Sequence, residues 1–426
     1  MRVHLSLSLP ILLSSFLSFA HPAAAQEPGR RPPRVTVPKS SQELPGDVGR
    51  RFHTHLLILG SGAVQPAGEL SPQTVGPPFP GYFFETPASL ACIYNLVHLQ
   101  AMGCNPNVVT TNPSGGAKAI AVVDAYDDPN AASDLANFDA QFGIPSANFT
   151  VVYAAGPKPA LDPTGGWELE ESLDIEYAHA MAPNARLFLV EAASDSNTDL
   201  LNAVTVASNI VAAAGGGEVS SSWGGSEFSG ETTMDSVFVQ SSVVFFASTG
   251  DSPGTDWPST SPNVVAVGGT STNRNPTTGL LLYEGAWNEG GGGLSQFEAR
   301  PSFQNSIVSI AGTARAVPDV AADANPITPV WVLDTNLYEG QPGGWFTVGG
   351  TSLAAPLMAG IVNSAGHFHA SSAAELETIY YNWSKGLVFG FNDIKTDNCG
   401  PYGGYLSVAG YDFCTGVGSP HSYSGK

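Results

Sequence analysis

Charge is what this chain of 426 residues has least of. Asp, Glu, Lys and Arg together make up 12% of it, about half the roughly 25% of an average soluble domain. Basic residues are the scarcest, 16 against 37 acidic ones, for a formal charge of −21. A chain so poor in positive charge repels phosphate backbones, which argues against a nucleic-acid-binding role. Cysteine is limited to four residues, none in a CxxC pair, which argues against a cysteine metal or redox site. Beyond the N-terminus no apolar run approaches the ~20 residues that a membrane-spanning helix needs. Disorder is excluded from the other side: 42% hydrophobic residues is too many for an unfolded acidic chain. Such a chain can bury a large core, and its length allows one large domain or two to three ordinary ones. What is plentiful is Gly (48) and Pro (33), so turns and loops are frequent.

The few positive charges are unevenly placed. Seven of the 16 lie before Phe52 (Arg2, Arg30, Arg31, Arg34, Lys39, Arg50 and Arg51), which leaves 34 acidic residues against 9 basic ones afterwards. This basic end is expected to lie outside the main folded domain. The acidic remainder fits either the solubility of a secreted protein or a protein suited to acid, where carboxylates are partly protonated. Arg2, the apolar run Leu5 to Ala20 and the small residues Ala23-Ala24-Ala25 read as a secretory signal peptide over residues 1–25. The protein is therefore expected to be secreted and extracellular, with no membrane attachment after cleavage. Four cysteines suit that compartment. Cys92 lies near Cys104 and Cys399 near Cys414, so two local bridges are the natural pairing among three possible connectivities. Asn148-Phe-Thr and Asn382-Trp-Ser match the glycosylation sequon.

Residues 26–80 are Pro-rich and read as a linker or short pro-region, with one apolar stretch at Leu56 to Leu59. From residue 81 to 426 the texture is that of a folded domain, the part of the chain that would carry any chemistry. Thr86-Pro87 opens a capped helix running towards Leu99. Short continuous apolar runs follow at Ala119–Val123, Arg186–Val190, Glu218–Ser222, Val243–Ala247 and Val264–Val267, with helical stretches between them. Such runs are what strands buried on both faces look like. The rhythm predicts an α/β fold, a doubly wound, mostly parallel sheet with helices on both faces. In such sheets active sites lie at the carboxyl ends of the strands.

Three features beyond those ends could carry chemistry. Gly349-Gly-Thr-Ser352 introduces an apolar helix. A serine there is either a helix cap or a nucleophile whose hydroxyl and N–H share the positive helix end. Asp251, in Gly250-Asp251-Ser252, follows a buried strand, where a turn-forming Asp is the commoner role. Glu168-Leu-Glu170-Glu171-Ser-Leu-Asp174 begins a helix that ends before Pro183. Glu170 and Asp174, four apart, share a face about 5–6 Å from each other. They are either part of an acidic, solvated helix start or a proton-sharing carboxyl pair. His179, nine residues past Glu170, falls roughly 180° around the helix and cannot join them. His98, His367 and His369 have no supporting context for a Ser-His-Asp triad.

Taken together and in this order, these segments resemble the sedolisin (serine-carboxyl peptidase) family, which has a subtilisin-like fold. Ser222-Trp-Gly224, Trp257-Pro258, Pro262 to Thr270, Trp287-Asn288, Gly290 to Gly293 with Ser295, and Val317-Pro-Asp-Val320 extend the resemblance over roughly Gly81 to Pro420. It implies Ser352 as nucleophile, Glu170 as general base, Asp174 as the group that orients Glu170, and Asp251 as oxyanion-hole donor beside the Ser352 N–H. Glu171 with Asp174 is the competing register, but the Glu170–Asp174 spacing matches the family. A carboxylate base and a protonated Asp251 both point to activity below neutrality. The resemblance also implies a calcium site with carboxylates from Asp393 and Asp412 and carbonyls from Ile394, Val408 and Gly410, a set of oxygens that suits calcium. A Cys399–Cys414 bridge would staple that loop. Protein or peptide substrates and a monomeric state are expected. Two departures stand out. The family usually carries a folded pro-domain of well over a hundred residues, and only about 55 lie between Ala25 and Gly81. Asp124 ends the first core strand where subtilisins hold the triad Asp; here it is expected to support the carboxyl network, since no His-Gly-Thr-His segment exists. The readings that follow are an acid endopeptidase, a tripeptidyl exopeptidase of the same family, a catalytically silent secreted binding protein, or a neutral subtilisin-type peptidase.

Overall fold

The computed structural model describes residues 34–64, 76–97, 103–386, 390–424 and Lys426; the expected signal peptide and His98 lie outside them. The strands up to residue 349 are β1 (Val35–Thr36), β2 (His53–Thr54), β3 (Leu57–Leu59), β4 (Ala119–Ala125), β5 (Asn148–Tyr153), β6 (Arg186–Ala192), β7 (Gly217–Ser221), β8 (Trp223–Ser226) and β9 (Val243–Ser248). Then come β10 (Asp256–Trp257), β11 (Val265–Arg274), β12 (Leu281–Ala286), β13 (Gly293–Ala299), β14 (Ala314–Val317), β15 (Val320–Asp323), β16 (Val330–Tyr338) and β17 (Gln341–Gly349). The main helices are α1 (Pro87–Ile93), α2 (Ala131–Phe142), α3 (Gly166–Met181), α4 (Asn197–Ala213), α5 (Val308–Ala311), α6 (Thr351–Ala365) and α7 (Ser372–Ser384).

The central sheet has the order β12-β11-β9-β7-β4-β6-β5, with β15 also pairing β11. Every pairing is parallel except that of β12 at the edge. This is the expected architecture, and the reason is visible in the side-chain alternation. Along β4 and β9, Ala119, Ala121, Val123, Val243 and Phe245 face α4, packing with Leu200, Val204 and Val211. The intervening Val244 and Phe246 face the other way, against Leu353 and Leu357 of α6 and Leu169 and Leu173 of α3. Period-two alternation thus divides one sheet between two helical layers. Helix α1 has its Thr86 cap, with Ser89 completing a reciprocal capping box, but it stops at Ile93 rather than running on to Leu99. Asn95, two residues on, has a positive φ of 53°, which no helix continues through. Cys92 is bonded to Cys104 and Cys399 to Cys414.

The N-terminal segment differs most from expectation. Residues 34–64 are woven into the same compact unit as the rest. β1 and β3 complete an antiparallel sheet of order β1-β3-β17-β16, while β2 completes another of order β10-β8-β2. Four of the seven early basic residues, Arg34, Lys39, Arg50 and Arg51, therefore belong to the folded body. Their charge misled the reading, because backbone pairing, not side-chain charge, places this stretch.

Candidate active site

Ser352 sits in the first turn of α6. The residue at the cap is Gly350, whose φ of 109° favours glycine and which makes no side-chain cap bond. Ser352 is thus not the cap. Its hydroxyl donates to the Ser222 carbonyl at 3.0 Å and accepts from the His55 N–H at 3.1 Å. Its own N–H donates to the His55 carbonyl oxygen at 3.0 Å.

Helix α3 brings Glu170 and Asp174 beneath this serine. All 16 residues of α3 are buried, so its acidic start is not solvated. Asp174 Oδ1 accepts from the Ser222 hydroxyl at 2.7 Å, and that hydroxyl also reaches the Ser352 carbonyl at 3.1 Å. Neither Glu170 oxygen has a partner in bonding geometry, yet the Ser352 hydroxyl is near enough to oppose part of the rise in its pKa. That rise takes Glu170 well above the ordinary carboxylate range: burial is the largest cause, followed by Asp174 and Asp124. Asp174 is raised in the same way, by burial and then by Asp124. Asp124, at 0% exposure, is pushed to about 8 by burial, and both its oxygens are unpartnered. Glu171 faces away from the serine, towards Glu191 and Asp128.

Asp251 lies on the other side. Its Oδ1 accepts the Thr351 N–H at 2.7 Å and the Thr351 hydroxyl at 2.9 Å, while Oδ2 is buried and unpartnered. Burial pushes this carboxyl up to about 7, against a smaller pull from His55. A side chain on Gly350 would strike both Asp251 Oδ2 and the His55 carbonyl oxygen, so the two oxygens converge on one spot over the glycine. A protonated Asp251 can therefore reach the carbonyl that the Ser352 N–H already holds.

That carbonyl belongs to the chain itself, and sequence reasoning missed it. β2 pairs antiparallel with β8, His53 opposite Gly224 and Thr54 opposite Trp223, and the His55 N–H continues the ladder to the Ser222 carbonyl at 3.2 Å. β3 then pairs with β17, Leu57 opposite Gly349. Residues 53–58 cross the cleft as an extended strand with His55 at Ser352. The sequence signal was faint, only the short apolar stretch Leu56 to Leu59. His179 and His369 stay apart. His179 bonds the Pro145 carbonyl at 2.8 Å, and His369 lies 3.3 Å from Glu375.

The expected calcium ligands gather at one loop. Asp393 accepts from the Gly410 N–H at 3.1 Å, and Asp412 accepts from the Val408 N–H at 3.0 Å. The two carboxylates thus bracket residues 408–410. Among the described residues no three His, Cys, Asp or Glu side chains group as a metal site. The donor set that the resemblance implies has only two carboxylates, the rest being carbonyls, and such an oxygen set fits a calcium ion.

The Subtilase family profile (Peptidase_S8) matches residues 150–370, more than half of the chain. The chain belongs to the subtilase family, in its sedolisin branch. Kumamolisin of Bacillus sp. (strain MN-32) is 31% identical over 340 residues, covering 72% of this chain and 59% of that protein. Tripeptidyl-peptidase 1 of Dictyostelium discoideum is 26% identical over 364 residues, covering 74% and 55%. The chain thus spans little more than half the length of these relatives. The structure of Pseudomonas sedolisin (serine-carboxyl proteinase), complexed with two molecules of pseudo-iodotyrostatin, shares the fold with a TM-score of 0.64. It is 24% identical and covers 79% of this chain and 95% of that one.

Proposed function

We propose that this subtilase is a secreted, acid-active serine-carboxyl endopeptidase that cleaves proteins or peptides through an acyl-enzyme on Ser352. The observation that carries the reading is the gathering of Glu170, Asp174 and Asp251, from α3 and the loop after β9, around Ser352 of α6, whose N–H holds a peptide carbonyl. Glu170 and Asp174 are carboxyl groups in one buried site whose pKa values are both raised, so a doubly ionised pair is disfavoured. In the singly ionised pair Glu170 takes the Ser352 proton, for which the hydroxyl need only turn from the Ser222 carbonyl. The freed oxygen attacks the substrate carbonyl carbon. The oxyanion is held by the Ser352 N–H and by protonated Asp251. Glu170 then gives the proton to the leaving amine, and water hydrolyses the ester by the reverse route. Asp251 can donate only while protonated, which sets an upper pH limit near its pKa of about 7.

Two observations bear on the finer assignment. A relative is named a tripeptidyl-peptidase, yet here Phe52, a fourth residue before the His55–Leu56 bond, is seated in the cleft with the chain continuing beyond it. Room for a fourth residue favours an endopeptidase. Uniform tripeptide products from a denatured protein would instead establish the exopeptidase. Secretion rests on the sequence of residues 1–25, and no described helix is long and apolar enough to cross a membrane. When bound, calcium would brace the C-terminal loop through Asp393, Asp412 and the carbonyls of Ile394, Val408 and Gly410, beside the Cys399–Cys414 bridge. The direct test is Ser352→Ala, which should lower hydrolysis of a denatured protein at about pH 4 by at least about 10⁴-fold with the fold intact. Retained hydrolysis would point to a different nucleophile, and no hydrolysis by either protein to a silent binding protein.

A further inference from the structure

The strand in the cleft also shows which side chains the cleft reads. It carries His55 at the position whose carbonyl the serine attacks, and this side chain enters a pocket built for it. His55 Nδ1 lies 2.7 Å from the Ser248 hydroxyl, and Nε2 lies 3.4 Å from the Asp256 carboxylate. Each ring nitrogen therefore has an oxygen facing it. The pocket wall is the backbone of β8 and β10. A Cβ on Gly224 would lie 2.9 Å from His55 Cε1 and 2.9 Å from the Trp257 carbonyl oxygen, so the ring fills the space that glycine leaves. Three residues earlier, Phe52 is 1% exposed, stacked on Trp223 at 5.1 Å between ring centroids and set against Trp257 at 5.4 Å. An aromatic slot of this kind contributes both buried area and ring geometry.

We infer that this cleft selects peptides with a histidine, held by Ser248 and Asp256, just before the cut and an aromatic residue three positions earlier, and that the chain's own His55–Leu56 bond is its first such substrate. The inference rests on the peptidase reading above. In the self-cleavage step the Ser352 oxygen bonds the His55 carbonyl carbon as the His55–Leu56 C–N bond breaks. The Ser352 proton passes through Glu170 to the Leu56 nitrogen. Water then hydrolyses the ester, leaving a carboxylate on His55 and a free amine on Leu56. The geometry around the bond is that of a bound substrate: the carbonyl accepts from the Ser352 N–H, and the flanking residues pair with β8 and β17.

The test begins with the full secreted chain, incubated at about pH 4 and read by intact mass and N-terminal sequencing. A new N-terminus at Leu56 is expected, and none in Ser352→Ala. His55→Ala should slow the cut about tenfold or more, and Asp256→Asn should slow it as well. As a readout independent of the folding of these variants, the processed enzyme should cut a synthetic peptide of residues 50–59 after its second histidine. It should prefer that peptide about tenfold over versions carrying alanine, arginine or phenylalanine there. Three outcomes would overturn the inference and leave the peptidase reading standing: digestion of denatured protein without a Leu56 N-terminus, a cut indifferent to His55→Ala, or equal use of the substituted peptides. If the wild-type chain neither cuts itself nor digests denatured protein between about pH 3 and pH 8, the peptidase reading fails and this inference with it.

Discussion

Two regions of this molecule bury carboxylates in opposite ways. Between β14 and β15, Asp319 is fully buried against the fully buried Arg315, with contacts of 2.7 and 2.6 Å. Tyr380 and the Ala266 N–H complete its shell. Glu85 is held likewise by Arg274 through two contacts of 2.6 Å. Across the sheet, no ion pair among the described residues reaches Glu170, Asp174, Asp124 or Glu171. These groups lie against one another, and burial lifts their pKa values. A buried charge is normally paired, because desolvation costs several kcal/mol per ion. The paired sites behave as structural cross-ties. At the unpaired sites burial raises the pKa values, and carboxyl groups so shifted are what acid-base chemistry needs. The scarcity of cations in the sequence is concentrated at the site.

Variants on either side should separate the two regions. Glu170→Gln should lower kcat/KM by about 10²–10⁴-fold, the range of a lost general base, while the thermal midpoint at neutral pH holds or rises. A fall in stability without a fall in activity would make Glu170 a structural group. Asp319→Asn should do the opposite. It leaves a buried guanidinium uncompensated, so denaturant unfolding should show a loss of about 3–5 kcal/mol, with activity per folded molecule retained.

The pH dependence of stability sharpens the contrast further. Asp124 has a folded pKa of about 8, Glu168 about 8 and Asp128 about 6, all raised mainly by burial. The folded state therefore binds more protons than the unfolded chain from about pH 4 upwards. Stability should be fullest below about pH 4 and decline as pH rises towards about 8. Asp124→Asn should flatten that decline in a series of thermal melts, whereas a variant of the Arg-paired Asp319 should shift the whole curve. The smallest effect is expected from chelation. Removing calcium should lower the thermal midpoint by a few degrees, about 1–2 kcal/mol if the chelator leaves the ion's site empty, and Asp393→Asn should abolish the response.

The four candidate catalytic residues were legible because each lies in a local segment: a glycine pair before a helix, a strand end, an i,i+4 pair on one helix. The parallel sheet was legible for the same reason, since each strand is a self-contained apolar run. The strand through the cleft was not. β2 and β3 are two and three residues long, and their partners β8 and β17 lie about 170 and 290 residues further along the chain. Nothing in the composition of Phe52 to Leu59 names those partners, and the Pro-rich, basic surroundings read as a linker or short pro-region. The sequence left α3 open between a solvated acidic helix start and a proton-sharing pair, and only the burial of all 16 of its residues decides between them.

The central claim is that carboxyl groups, one of them a proton donor, run this site without a catalytic histidine. The most direct measurement is the pH dependence of kcat/KM for the processed enzyme beside Asp251→Asn. The account predicts activity in acid that falls away as pH rises through about 7, the value to which burial lifts Asp251, with that limb lost or displaced in the variant. A profile that peaks near pH 8, as expected of a histidine base, and is unchanged by Asp251→Asn would contradict it.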